Sequence, residues 1–552
     1  MGRLMRLWLL SSALVETLLF SGCLLGWNSL NPILLDMGVL SQDCHAEMER
    51  TEAASSNNSA AGAGHPPSVA VVSTLAEIIM ASRTSEPQQS CTSQEQNLHL
   101  GFTVGTFFVW GAFLPLQLLL GYMNVRSLRQ IGGALLSVSY LMLAYCLTNP
   151  HNLSLFLPFA LIAQGLGGCC VLFSSLMLPQ ILDNVGSVFS ALVIAGFSAS
   201  ATVFTIFKVI YFSWVPIVPV MLGYGAMSCL MFLNSTFCWS LNPSEKKEEN
   251  IYSVNLRLNC YEALNKKKLL QEDKWCQKSL KLKFQRSLRD RERILSKRRT
   301  LSFKRPDVLA PSPLLESLIS PTFILHLLSD STLLTWIYFY VSSVNLHLQS
   351  QADLRHQADL YSSVFGGLQI LGLFAAPLIS ILLHYQILEK PIKSGQTKAR
   401  TSHRSACSIK RLSAIYTLRS LVAICFGICC LIPSLHIQVV SFVLHVVMRT
   451  SMFLVTSTLY RCMFPRNHFG ALLGINTFIS SILSLVQHPI FLLLTGSLQR
   501  DLFWIYITFL ALSPAALLLP IHLVIKNNRR HSRPLSRPIH LCKMTPITET
   551  NA

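Results

Sequence analysis

The sequence predicts an all-α polytopic membrane protein whose twelve helices fall into two groups of six. Three observations predict it. Of 552 residues, 51% are hydrophobic and 13% are charged, whereas soluble domains carry about 25% charge. The mean hydropathy is +0.45. Apolar runs of roughly 20 residues, the length that crosses a ~30 Å hydrocarbon core as a helix, recur along the chain. A soluble multi-domain enzyme is excluded as the starting assumption.

The first run covers residues 7–35. It is too long for the 7–15-residue core of a secretory signal and is read as a span. Glu16 lies midway along it, ahead of Gly22, Gly26, Trp27, Asn28 and Ser29. Glycines there permit close approach of another backbone or a substrate, and an interrupted helix exposes amides and carbonyls that can hold a zwitterion. Spans follow at 98–120 and 130–148, and then at 154–178 and 186–210, which carry the small-residue faces Gln164-Gly165-Leu166-Gly167-Gly168 and Gly196-Phe197-Ser198-Ala199-Ser200-Ala201. Such faces predict close helix packing first and a substrate-lining surface second. Residues 214–237 complete the first group.

The second group spans 321–345, 360–383, 411–432, 437–460, 469–494 and 502–525. The first of these carries Trp336-Ile337-Tyr338-Phe339-Tyr340, an ordinary core or lipid-facing run from which Trp336 is a candidate to cap a central cavity. The predicted divisions are therefore residues 1–240 (with an outer loop at 36–97), a basic linker at 241–320, residues 321–525, and a tail at 526–552.

Lys and Arg exceed Asp and Glu by 45 to 26. An internal N-terminus puts 38 of the 45 cations on the cytoplasmic side, with Arg126 and Arg129 in the loop after the second span and 19 in the linker, so the net charge of +19 reports orientation and not nucleic-acid binding. Both termini are expected in the cytoplasm. The linker, with Lys266-Lys267-Lys268 and Lys297-Arg298-Arg299, reads as a solvated connection; the alternative is an anionic-lipid patch or a segment phosphorylated near Ser296, Thr300 or Ser302.

The outer loop is acidic and carries the glycosylation acceptor Asn57. Asn234-Ser-Thr236 falls at the inner end of a span and is expected to stay unmodified. Cys44 and Cys91 bracket the outer loop on an oxidising side and are expected to pair. No metal site is indicated, because the chain has no C-x-x-C or H-E-x-x-H pattern. No cofactor is expected.

Ionisable residues inside spans cost at least ~2.5–3.5 kcal/mol each to insert and are functional candidates for that reason. They are Glu16, Lys208, Asp330, Arg419 and Arg449. Glu16 reads either as a substrate contact or as an interhelical anchor. Arg449 reads as the holder of a substrate carboxylate or as a partner of Glu16 or Asp330. Lys208 and Arg419 lie near span ends and are expected to snorkel.

Leu24-Leu25-Gly26-Trp27-Asn28-Ser29-Leu30, preceded by Val15-Glu16, resembles the first-span signature of solute carrier family 43, a branch of the major facilitator superfamily. Further matches are Gly101-Phe102-Thr103-Val104-Gly105, Ser320-Pro321-Thr322-Phe323, Tyr361-Ser362-Ser363-Val364-Phe365-Gly366, Phe442-Val443-Leu444-His445 with Arg449, Phe464-Pro465-Arg466-Asn467-His468-Phe469-Gly470 and Gln487-His488-Pro489-Ile490-Phe491. The ordered set spans both halves. It implies a twelve-helix carrier at the plasma membrane that moves large neutral amino acids (leucine, isoleucine, valine, phenylalanine, methionine) down their gradient, without sodium and without a heavy-chain partner.

The residues singled out as substrate contacts are Glu16, Gly26, Trp27, Asn28, Ser29, Gln164, Ser198, Trp336 and Arg449. Two alternatives stand beside that reading: a purine nucleobase carrier, and a non-transporting sensor or scaffold. The sequence also departs from the family's Asp-Arg-x-Gly pattern after the second span, where it reads Gly121-Tyr122-Met123-Asn124-Val125-Arg126, and has His384-Tyr385-Gln386 where an Asp is expected at the inner end of the eighth. Leu334-Thr335-Trp336 departs from the amino-acid members, and Asp330 is additional to the pattern. Missing inner-face charges imply slower or altered cycling.

Overall fold

The computed structural model describes residues 3–41, 44, 91–120, 122–181, 186–237, 314–352, 354–384 and 397–532. Asn57, Gly121, Tyr385, Gln386, most of the basic linker and the tail beyond residue 532 lie outside the described residues.

Every regular element among the described residues is helical. Ten helices are long and apolar enough to cross a membrane, and two bent pairs bring the number to twelve. In order they are α1 (Leu7–Ser21 with Cys23–Asp36), α2 (Thr92–Gly111 with Phe113–Leu119), α3 (Val125–Thr148), α4 (Ser154–Leu178), α5 (Val188–Phe212) and α6 (Ile217–Phe237). The second half comprises α7 (Pro321–Gln351), α8 (His356–Leu383), α9 (Ile409–Leu431), α10 (Leu435–Met463), α11 (Phe469–Thr495) and α12 (Phe503–Arg529). Several spans run past their expected limits. Helix α7 continues six residues beyond 345, and the helix containing α9 begins at Thr397, because polar residues extend a helix once packing has nucleated it.

Helix α3 packs against α4 and α6, and α2 against α4; in the second half α9 packs against α10 and α12, and α7 against α11. The halves meet along a seam where α5 faces α8 and α2 faces α11, with α1 against α7. One end of the seam carries the Cys44–Cys91 disulfide, with Cα atoms 5.6 Å apart, and the side chain of Cys91 caps α2. At the opposite, linker end, α6 finishes and α7 begins.

Irregular backbone gathers at mid-depth on the seam. Helix α1 bends by 42° through a π turn (Thr17–Ser21), Gly22 and a 3-10 turn (Cys23–Gly26). Helix α5 breaks at Ser200 and Ala201, and α8 passes through 3-10 geometry at Gln369–Leu371. Gly26 is required because a Cβ there would strike the carbonyl of Ala201, and Gly168 because one would strike the carbonyl of Ser21. Breaks of this kind survive at membrane depth where they are covered by protein or face a substrate path.

Candidate functional site at the seam

Of the seven Asp, Glu, Lys and Arg side chains buried in the described spans, six (Glu16, Glu95, Arg129, Lys208, Asp330 and Arg419) have an ion-pair partner, and Arg449 does not. In the first half, Arg129 of α3 donates through Nε to Glu16 at 2.8 Å and through Nη2 to the same carboxylate oxygen. Its Nη1 donates to Ser174 and Ser175 of α4 at 3.1 and 2.9 Å, and Asn234 of α6 donates to the other Glu16 oxygen at 2.6 Å. In the second half, Arg419 of α9 donates to Asp330 of α7 at 2.5 Å, while Thr456 of α10 and Asn476 of α11 donate to the remaining carboxylate oxygen at 3.2 and 3.0 Å.

Four expectations are corrected here. Arg129, placed among the loop cations, is fully buried; its position at the start of a span hid that it is within reach of Glu16. Arg419 does not snorkel, because Asp330 holds it inside. Arg449 pairs with neither Glu16 nor Asp330, whose partners lie within their own bundles. Lys208 is 2% exposed and crosses the seam to Ser362 Oγ at 3.3 Å and to the carboxylate of Asp359 at 3.7 Å.

Arg449 lies at the middle of α10 and reaches across the seam to α5. Its Nη2 donates to the Ser198 carbonyl and lies 3.3 Å from the Ser198 hydroxyl, which shares a 2.7 Å hydrogen bond with Thr450. Its Nε and Nη1 have no hydrogen-bond partner among the described residues. Two N–H donors of a buried, charged guanidinium are thus available to an acceptor, and such groups are costly to leave unmatched.

Aromatic layers enclose this level. Phe453, one turn beyond Arg449, lies 6.1 Å from the Trp110 ring and 5.7 Å from Phe113, and Trp110 lies 5.8 Å from Phe197. On the other side Trp27 stacks on Phe102 at 5.1 Å, and Phe102 meets the edge of Tyr338 at 6.5 Å. The Tyr338 hydroxyl also lacks a partner among the described residues. Of these rings, Trp27 and the run containing Tyr338 carried a sequence signal. Phe102 stood out only as part of the Gly101–Gly105 stretch, and Trp110, Phe113 and Phe453 carried no signal, since an aromatic in an apolar span is unremarkable until its neighbours are known.

At the disulfide end a cleft of about 670 Å³ opens between the bundles, lined by residues that include Trp27, Glu95, His99, Asn345 and Asp359. Polar contacts cross below it. Asn28 donates to the Ser362 carbonyl at 3.1 Å, Asn345 donates to the Asn28 carbonyl at 2.8 Å, and Ser362 donates to Asn345 at 2.7 Å. Within the first half Ser29 and Thr205 share a 3.0 Å hydrogen bond, and across the seam Ser342 lies 3.0 Å from His99. The halves are therefore joined on the disulfide side of Arg449 as well as on the linker side, where α5 packs on α8.

Other sequence candidates lie elsewhere. Gly26 contacts the α5 backbone. Gln164 donates to the Tyr140 hydroxyl at 3.2 Å inside the first bundle. Trp336 stacks on Phe509 at 5.5 Å within the second bundle, which turns it away from the seam. Among the described residues no cluster of His, Cys, Asp or Glu could hold a metal ion.

Two helical bundles closed around a mid-depth polar site, with broken helices at the seam, define a membrane transporter. The sequence pattern of the Major Facilitator Superfamily matches residues 68–486. A large neutral amino acids transporter small subunit 3 from Homo sapiens is 31% identical over 94% of this chain and 93% of its own length. The protein of the same name from Mus musculus is 29% identical over 95% and 94%, and an equilibrative nucleobase transporter 1 from Bos taurus is 24% identical over 74% and 80%. The chain belongs to the Major Facilitator Superfamily, in its solute carrier family 43 branch.

Proposed function

We propose that the protein is a sodium-independent facilitative carrier of large neutral amino acids (leucine, isoleucine, valine, phenylalanine and methionine) that works by alternating access. The observation that carries this reading is Arg449: a buried guanidinium at the seam with two open N–H donors fits a carboxylate. The surrounding rings of Phe102, Trp110, Tyr338 and Phe453 fit an apolar side chain, and the broken stretch of α1 beside Trp27 supplies backbone groups for the ammonium. Names of the relatives at 31% and 29% identity support the substrate class.

In this reading residues 1–240 and 321–525 rock against each other around that site, with 241–320 and 526–552 in the cytoplasm. The disulfide end faces outward from the plasma membrane and carries a sugar on Asn57. No heavy-chain partner is required. The Lys208–Ser362–Asn345–Asn28 contacts act as the outer latch.

Radiolabelled leucine and adenine uptake in expressing cells tests the proposal. Leucine uptake that persists when sodium is replaced, and that is accelerated by leucine on the opposite side, supports it. Adenine uptake without leucine uptake replaces it with nucleobase transport, a reading favoured by the stacked rings and by the relative at 24% identity. Surface expression with uptake of neither leaves the sensor or scaffold reading.

A further inference from the structure

At the disulfide end of the seam the first turns of α2 pack against the last turns of α11. Glu95 of α2 meets Arg500, just past α11, at 3.1 Å, and Gln96 donates to Thr495 at 2.8 Å. One turn deeper, His99 of α2 and His488 of α11 face each other with their Nδ1 atoms 3.3 Å apart. His99 lines the cleft of about 670 Å³, and His488 is half-buried.

The surrounding hydrogen bonds assign the protons of this pair. Ser342 of α7 donates its hydroxyl hydrogen to the Phe339 carbonyl at 2.9 Å, so toward His99 Nε2, 3.0 Å away, it accepts. Nε2 therefore carries the proton of a neutral His99, and Nδ1 is left as an acceptor. Thr103 directs its hydroxyl to the His99 carbonyl at 2.8 Å, so the bond across the seam is made by the hydrogen on His488 Nδ1. The Phe491 ring, 4.0 Å from His99 and nearly parallel to it, holds the imidazole in this orientation.

We infer that His99 and His488 form a proton-sensing clasp that holds the disulfide end of the seam shut at neutral pH and releases it in acid. A proton added to His99 turns Nδ1 into a donor aimed at the His488 donor, and the bond across the seam becomes a repulsion. With the seam closed, the pair takes at most one extra proton, on Nε2 of His488. Once the seam parts, two imidazoles in water take up two protons below about pH 6.5. Below that pH the opened form binds more protons than the closed form, so linkage makes acid favour opening.

Among the described residues, the charged groups around the pair are matched to one another. On α2, Glu95 lies one turn before His99 and is neutralised by Arg500. On α7 the facing group is the uncharged Ser342, while His347 is turned into the second bundle against Tyr506. Along the other wall of the cleft, Asp359 of α8 is engaged by Lys208, and α1 contributes the uncharged Trp27 and Asn31. The clasp does not depend on which substrate the carrier moves, because neither imidazole contacts Arg449.

The test is carbene footprinting of the full-length transporter in lipid nanodiscs with a neutral, water-soluble diazirine at about pH 7.5 and about pH 5.5, either side of the imidazole range. Peptide mapping reads the cleft-lining residues Trp27, Ala358 and Phe491, which are 1%, 4% and 3% exposed with the seam closed. Their labelling is expected to rise at least about threefold in acid, since each additional proton bound shifts the equilibrium up to about tenfold per pH unit. His99→Gln combined with His488→Gln is expected to hold labelling constant to within about 1.5-fold between the two pH values. If that variant fails to fold, His99→Gln alone serves, because its remaining imidazole takes a proton with the seam closed; it too is expected to flatten the response. His436→Gln, which removes the imidazole beside Tyr361, is expected to keep the full response. No acid-dependent rise in the unsubstituted protein, or an undiminished rise in a folded His99 variant, overturns the proposal. So does loss of the response in His436→Gln.

Discussion

The two halves of the molecule solve one problem with the same parts and then diverge. In each, the first helix supplies a carboxylate (Glu16, Asp330), the third an arginine (Arg129, Arg419) and the fourth a hydroxyl (Ser174 and Ser175, Thr456). Charged groups inside a bilayer are tolerated when matched this way, and the match ties three helices together. Seven residues before the hydroxyl, the fourth helices part company. Helix α4 has Gly167, which admits the α3 backbone at Gly132, and Gly168, which admits the α1 backbone at Ser21, whereas α10 has Arg449, which crosses the seam. The comparison separates what the two halves share, a matched cage of charges, from the asymmetry seven residues away, where ligand binding is to be sought.

The largest expected effect comes from breaking one cage. Arg129→Leu leaves Glu16 as an unpaired buried carboxylate, at about 3–5 kcal/mol. Most of the protein should be lost from the cell surface, as measured by surface biotinylation and by fluorescence-detected gel filtration. Glu16→Leu combined with Arg129→Leu should recover much of it. If the single variant is as abundant as the unsubstituted protein, the cage is not a structural tie. Arg419→Leu should cost less than Arg129→Leu, because Arg419 keeps fewer of its donors satisfied.

Next in size is Arg449→Ala, which should leave surface abundance intact and reduce leucine uptake about 10- to 100-fold, the range of a lost charge-assisted hydrogen bond of about 1.5–3 kcal/mol. Normal transport by that variant would remove Arg449 from the site. Gly168→Ala tests the opposite side of the asymmetry. Forcing a methyl against the Ser21 carbonyl should cost about 1–3 kcal/mol, read as a lower thermal midpoint. The smallest effect belongs to Asp359→Asn, which removes the carboxylate 3.7 Å from Lys208 of the proposed outer latch. The Asp359 side chain is 59% exposed, so the lost ion pair is worth about 0–1 kcal/mol. Uptake should change less than about fivefold, and a larger change would mean that the latch limits the rate.

Much of the fold was legible. Spans were readable because each helix must satisfy its own backbone in lipid, which forces long apolar runs whatever their neighbours are. The site was legible only in part. Glu16, Asp330, Arg419 and Arg449 were visible as charges in apolar runs, but their partners were not. Arg129 looked like a loop cation and Lys208 like a snorkelling one. Asn234 was read as a sequon expected to stay unmodified, whereas it is a ligand to Glu16.

By itself, then, the sequence determined the helical class, the spans, the charge asymmetry between their ends and which residue types inside them demand an explanation. Those properties follow from transfer free energies, which depend on one residue and its near neighbours. Only the tertiary structure decided which carboxylate meets which arginine, that Arg449 faces the seam with two open donors, and that Trp336 turns away from it. These depend on side chains 89 to 251 residues apart meeting at distances of a few ångströms, and no local pattern encodes that geometry.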